Sequence, residues 1–204
     1  MKSNDFDRLA FVYDRLAKLF FGKSIIESQT YFLNKIPDNS KVLILGGGTG
    51  WILTEISKTK NELDICYIEA SEKMIARAKE KSRSNRRVYF IHGTENDIPS
   101  GEHFDVVITN FYLDLFSDDS LKIILEKIKK STMIRTQWIV TDFVNNTWWQ
   151  NFLLKLMYIF FQVTCNIEAR RLPAWRIGLQ NLGAKEVDSR NYYGNFIQAS
   201  LFYF

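Results

Sequence analysis

Four glycines fall within the five positions 46–50, GGGTG, directly after the aliphatic run VLIL. Glycine loses the most backbone freedom on folding and is costly inside strands and helices. A tight turn needs only one, so four imply that something lies against bare backbone. A helix beginning here would point its free N–H groups and positive end at the same place. No Lys-Ser or Lys-Thr pair follows the glycines, so the loop is not a P-loop cradle. A G-x-G-x-x-G dinucleotide pattern fails too, because Trp51 and Leu53 stand where its last glycine would fall. About twenty residues on, Glu69 ends an apolar run, the place where an acid in an open α/β sheet takes ribose hydroxyls. A carboxylate is acceptor-only and can take both hydroxyls. Glycine loop and acid together ask for a nucleoside ligand without a demanding phosphate.

The elements that must position these residues alternate. KVLIL (41–45), LDICYIE (63–69), RVYFIH (87–92), FDVVIT (104–109) and RTQWIVTDF (135–143) read as strands, the first apolar enough to be buried on both faces. WILTEISKT (51–59), SEKMIARAKEKS (71–82, with Ser71 as N-cap) and SDDSLKIILEKIKK (117–130) read as helices between them. This order predicts a doubly wound, mostly parallel α/β sheet with right-handed crossovers and helices on both faces. Upstream, FDRLAFVYDRLAKLFFG (6–22) and SIIESQTYFLNKI (24–36) predict two helices, the second opened by a Ser24/Glu27 capping box. Downstream come two helices, NTWWQNFLLKLMYIFF and LPAWRIGLQNLG, and two runs joined around Gly194-Asn195. So short a link forces the last two strands to pair antiparallel. The expected organisation is one domain over 1–204, with a helical cap (1–37), a binding core (41–143) and a C-terminal part (144–204), built on a seven-stranded sheet.

The 204 residues carry 46% hydrophobic and 25% charged side chains, the balance of a globular domain. A net charge of +4, with Lys79, Lys81, Arg83, Arg86 and Arg87 clustered, predicts solvated helix faces and loops, not a nucleic-acid surface. Cys66, in an apolar strand, reads as a small core residue. Two cysteines and a polar N-terminus without an apolar core segment predict a reduced, cytoplasmic setting. FLLKLMYIFFQV (152–163) is too short to span a bilayer, which needs roughly 20 apolar residues. No His, Cys and Asp grouping has metal-ligand spacing.

In motif order the chain resembles the class I S-adenosylmethionine-dependent methyltransferases. VLILGGGTG is similar to their glycine motif, IEAS with EKMIARAKEK to their second motif, FIHGTENDIP to their third, and FDVVITNFYLDLF to their fourth strand and the loop over the methyl group. The opening FDRLAFVYDRLAKLFFG resembles the ubiquinone/menaquinone biosynthesis branch. The resemblance implies S-adenosylmethionine as cofactor, a Rossmann-like methyltransferase fold, and cofactor contacts from Gly46, Gly47, Gly48, Gly50, Trp51, Glu69, Ala70, Thr94, Glu95 and Asn110. The chain departs from the family at Ile44, where an acid is usual, and at Thr94, where an acid often follows the glycine of the third motif.

Methyl transfer from a sulfonium is an in-line displacement, for which a protein supplies alignment, desolvation and at most a base. Tyr112 and Asp114 are the nearest groups to handle an acceptor proton, and the sequence does not choose between them. Phe6, Phe11, Tyr13, Phe20 and Phe21, with Trp148, Trp149, Phe152, Met157, Tyr158 and Phe161, predict an aromatic pocket for a small hydrophobic, lipid-like or quinol-like acceptor. The Trp148/Trp149 region also suggests weak contact with a membrane surface. Two alternatives stay open: a catalytically decayed nucleoside-binding protein on the same fold, and an NAD(P)-dependent oxidoreductase, which Trp51 opposes.

Overall fold

The computed structural model describes residues 21–59, 62–82, 87–165 and 167–204. Residues 6–20 of the first predicted helix, with Phe6, Phe11, Tyr13 and Phe20, lie outside the described residues, as do Arg83 and Arg86.

Seven strands form one sheet: β1 (Lys41–Leu45), β2 (Asp64–Glu69), β3 (Val88–His92), β4 (Phe104–Asn110), β5 (Thr132–Phe143), β6 (Lys185–Tyr192) and β7 (Ile197–Tyr203). Their spatial order is β3-β2-β1-β4-β5-β7-β6. The first five run parallel, and β7 inserts antiparallel between β5 and β6. The expected mostly parallel seven-stranded sheet with its antiparallel terminal hairpin is therefore present. The order reverses between β1 and β4, which opens a crevice at their carboxyl ends.

The helices are α1 (Ser24–Thr30), α2 (Trp51–Ile56), α3 (Glu72–Lys81), α4 (Asp118–Lys129), α5 (Trp148–Cys165) and α6 (Trp175–Asn181). Alternation along β1 divides the core. Leu43 and Leu45 face the cluster built with α4 and α6, whereas Val42 and Ile44 face Ile52, Leu53 and Ile56 of α2 and Ile75 and Ala78 of α3. Cys66 is buried, and burial pushes its thiol up to about 11, as befits a core residue.

Caps set the helix ends. Ser71 accepts the Met74 N–H, and Ser117 accepts the Ser120 N–H at the start of α4, whose first turn carries Asp118 and Asp119 and whose last turn carries lysines. The Ser24/Glu27 box does not form: Ser24 already lies inside α1, and Lys23 precedes it with helical dihedrals and no side-chain cap. The predicted helix 24–36 also breaks, continuing past Thr30 only as a 3₁₀ turn over Leu33–Lys35. β5 starts earlier than its sequence suggests. Thr132 pairs with Phe104 ahead of a register shift, and Arg135 takes a φ of 78° there.

The glycine loop is shaped by its neighbours. A Cβ on Gly47 would sit 2.2 Å from the Tyr67 ring. Gly50 caps α2 at a φ of 76°, and a Cβ there would lie 2.5 Å from Cα of Ala78. Left-handed backbone costs a side chain about 1–2 kcal/mol, and crowding a packed core typically adds about 1–3 kcal/mol. Gly50→Ala should therefore lower stability by about 2–5 kcal/mol in urea unfolding. Gly48→Ala, at a φ of 64° with nothing within 4 Å, should lose only the backbone part. Equal losses would contradict this packing.

Candidate functional site

At the carboxyl ends of β1, β2 and β4 the loops enclose a cavity of about 930 Å³. Part of its wall is polar and glycine-rich, made by Gly46, Gly47, Gly48, Glu69, Thr94 and Asn110. Another part is apolar, made by Phe21, Phe111, Phe143, Met157 and Phe161, which pack in one cluster. Such a combination of broad apolar lining and few convergent polar groups is typical of small-molecule sites.

Glu69 joins the second strand to the glycine loop. Its Oε2 accepts the Gly48 N–H at 2.8 Å and its Oε1 accepts the Ser71 N–H at 2.9 Å. Burial raises its pKa, and these backbone N–H groups work against that rise. A carboxylate offers about four lone-pair sites, so capacity for ligand hydroxyls remains. From the same strand, the Tyr67 hydroxyl donates to the Gly48 carbonyl at 2.9 Å. The loop is thus held at both ends of one residue, one contact to its N–H and one to its C=O. Lys81 reaches back from α3 to Thr49 Oγ1 at 3.1 Å.

The loops after β3 and β4 are stitched to each other. Thr94 opens a 3₁₀ turn with a capping box closed by Asp97. The Tyr112 hydroxyl donates to Glu95 Oε2 at 2.9 Å, Asn96 Nδ2 donates to Thr94 and Glu95, and Lys127 donates to Asn96 Oδ1. Burial first, then the Glu95 charge, lifts the Tyr112 phenol well above its ordinary range. At neutral pH Tyr112 is a hydrogen-bond donor, not a base.

Asn110, the last residue of β4, lines the cavity with a buried Oδ1 that has no partner among the described residues. A buried amide oxygen left open is costly unless a ligand donor completes it. Nearby lies a pair of acids. Asp142, fully buried at the end of β5, accepts the Leu113 and Asp114 N–H groups at Oδ2, each at 3.2 Å, and the Phe143 N–H at Oδ1, 2.8 Å away. Asp114 lines the cavity, is 6% exposed, and has a buried Oδ1 without a partner among the described residues. Burial pushes Asp114 up to about 7, and burial together with the Asp114 charge raises Asp142 well above the carboxylate range.

Nine of the ten residues expected to hold the cofactor line this one cavity, as do Tyr112 and Asp114. The exception among the ten, Gly50, is not on the wall; it serves the packing of α2 on α3. Of the apolar and aromatic residues expected around an acceptor, Phe21, Met157 and Phe161 line the cavity. Tyr158 is buried behind it, Trp149 packs on Phe196, and Trp148 and Phe152 face outward. His92 bonds to the Ala70 carbonyl as an exposed strand-end residue. Sequence reasoning missed Tyr67 and Asp142, although an acid ending an apolar strand marks Asp142 as it marks Glu69.

Residues 42–133 match the model of a methyltransferase domain. A curated relative, the carboxy-S-adenosyl-L-methionine synthase of Nautilia profundicola, is 45% identical over 51 residues, 25% of this chain. The match spans only 22% of that relative's length. Two solved structures share the fold. A chain of the complex between the Haloferax volcanii Trm112 methyltransferase activator and its methyltransferase partner superposes with a TM-score of 0.77 at 14% identity, covering 100% of this chain and 97% of that one. The N-methyltransferase NodS of Bradyrhizobium japonicum, solved with S-adenosyl-L-homocysteine, gives 0.66 at 11% identity, covering 87% and 85%. Residues 42–133 are thus similar to a methyltransferase domain, and the chain shares its fold with solved methyltransferase structures.

The acid pair makes stability depend on pH. Carboxyls whose folded pKa lies above the unfolded one stabilise fully below the unfolded pKa, and that contribution is lost as pH rises through the folded pKa. The melting temperature should therefore fall as pH rises from about 4, the unfolded carboxyl range, through about 7, where Asp114 ionises, and Asp114→Asn should flatten that fall. An unchanged slope in the variant would contradict the assignment.

Proposed function

We propose that the protein is an S-adenosylmethionine-dependent methyltransferase acting on a small, largely hydrophobic acceptor. The observation that carries this reading is the continuity of one cavity from the glycine loop and Glu69 to the aromatic cluster. The group fits the residues present. Gly47 faces the cavity without a side chain because Tyr67 leaves no room for one, Glu69 has acceptor capacity for ribose hydroxyls, and the open Oδ1 of Asn110 suits the ammonium of the methionine part. Asn110 would then serve where Ile44 replaces the family's usual acid. Thr94 and Glu95 stand on the adenine side.

When bound, S-adenosylmethionine supplies an activated methyl group on a sulfonium. The protein's part is to align and to keep water out. Phe111, Phe143 and Phe161 bound an apolar space beside the glycine loop, and walls of that kind select an aromatic, lipid-like or quinol-like acceptor. Along α5 an apolar stripe of Trp148, Phe152, Leu156, Ile159 and Val163 faces outward, and Leu156 also borders the cavity. The stripe would let such an acceptor enter from a membrane surface. No helix among the described residues is long and apolar enough to cross a membrane.

Isothermal calorimetry tests the cofactor reading. S-adenosylhomocysteine should bind and NAD should not. Glu69→Ala should weaken binding roughly ten- to hundredfold, as loss of hydrogen bonds to a charged group costs about 1.5–3 kcal/mol. Preference for NAD, or undiminished affinity in the variant, would overturn it.

A further inference from the structure

We infer that Asp114 and Asp142 form a carboxyl pair that takes the proton of the acceptor's nucleophile, and that the acceptor is therefore an apolar molecule bearing an acidic hydroxyl of the phenol or enol kind. The inference rests on the methyltransferase reading above and deepens it. Its ground is placement. Asp114 is a charged residue type on the wall of the cavity near its aromatic cluster, in the loop after β4, and one of its oxygens has no partner among the described residues. Leaving a buried polar atom unmade costs free energy unless function or ligand repays it.

Asp142 explains how Asp114 is held. It accepts three backbone N–H groups, two of them from Leu113 and Asp114 themselves, and so fixes the loop that presents Asp114. Asp142 is a positioning residue. From α5, the Tyr158 hydroxyl approaches the Asp114 carbonyl at 3.5 Å. Among the described residues, Asp142 and Tyr158 are the titratable groups that feel Asp114, with Glu168 elsewhere on the chamber wall. None of them is a cation; the three backbone N–H groups favour charge on Asp142, and burial outweighs them. Burial and the Asp114 charge both disfavour ionising Asp142, so the two acids do not both ionise cheaply. Burial brings Asp114 to about 7, the range in which a general base is most effective.

The chemistry selects the nucleophile. An aromatic amine, unprotonated near neutral pH, attacks through a lone pair that is already free and sheds its proton afterwards. A hydroxyl must lose its proton as the new bond forms. In that step the acceptor oxygen bonds to the methyl carbon while the carbon–sulfur bond breaks with its electron pair left on sulfur. The hydroxyl proton passes to the singly charged carboxyl pair, which becomes neutral, and solvent removes that proton after product leaves.

The test needs no natural acceptor. Calorimetry first establishes S-adenosylhomocysteine binding; its failure would fell the cofactor reading and this inference with it, whereas binding followed by a failed titration would fell this inference alone. NMR of isotope-labelled aspartate carboxyls, assigned with Asp114→Asn, then follows Asp114 in the cofactor-loaded protein. The midpoint should lie near about 7 and fall in Asp142→Asn. Naphthol should lower the wild-type midpoint by donating its hydroxyl to the carboxylate, and methoxynaphthalene, of similar shape but without that proton, should not. With S-adenosylmethionine, transfer to naphthol should drop about 100-fold or more in Asp114→Asn while cofactor affinity stays. An Asp114 midpoint in the ordinary carboxylate range, or no difference between the two probes, would overturn the inference, even if Asp142→Asn fails to fold.

Discussion

The site depends on one short reach across the sheet. Glu69, at the end of β2, spans the gap to the loop of β1 and takes the Gly48 N–H, while Tyr67, two residues earlier on the same strand, gives its hydroxyl to the Gly48 carbonyl. Period-two alternation puts both side chains on one face of β2. Parallel pairing of β1 with β2 in a fixed register, Ile44 beside Tyr67 and Leu45 beside Ile68, brings that face to the loop. The loop is therefore preorganised by its neighbouring strand, and a ligand meets it without having to order it.

The same constraint explains the glycines better than flexibility does. Gly47 is bare because the Tyr67 ring occupies the place of its side chain, and Gly50 is bare because α3 presses Ala78 against it. The backbone is exposed to the cavity on one side because it is crowded on the other. Chemistry on the far side is arranged alike. Asp142 uses the end of β5 to hold the loop after β4, as Glu69 uses the end of β2 to hold the loop after β1. Two strand-end acids, each bonded to backbone N–H groups of a neighbouring loop, fix the two halves of the crevice.

Much of this was legible in residues alone. Continuous apolar runs marked the parallel strands, Ser71 and Ser117 marked helix starts, and GGGTG with Glu69 marked the site. What was not legible depends on neighbours distant in sequence. Ser24 and Glu27 had the spacing of a cap, but the chain before them already has helical dihedrals at Lys23. The insertion of β7 between β5 and β6 leaves no local trace beyond a hairpin. Tyr67 reads as one more core residue until its hydroxyl is seen on Gly48. Tyr112 and Asp114 looked equivalent, and only burial and the Glu95 contact separate a donor from a base.

The central claim is that a nucleoside lies on the main chain at 46–48 with its sugar tied to Glu69. A crystal structure with S-adenosylhomocysteine tests it most directly. The account predicts both ribose hydroxyls within hydrogen-bond distance of the Glu69 carboxylate and the sulfur facing the Phe111–Asp114 loop. A nucleoside bound elsewhere, or a sugar out of reach of that carboxylate, would contradict it.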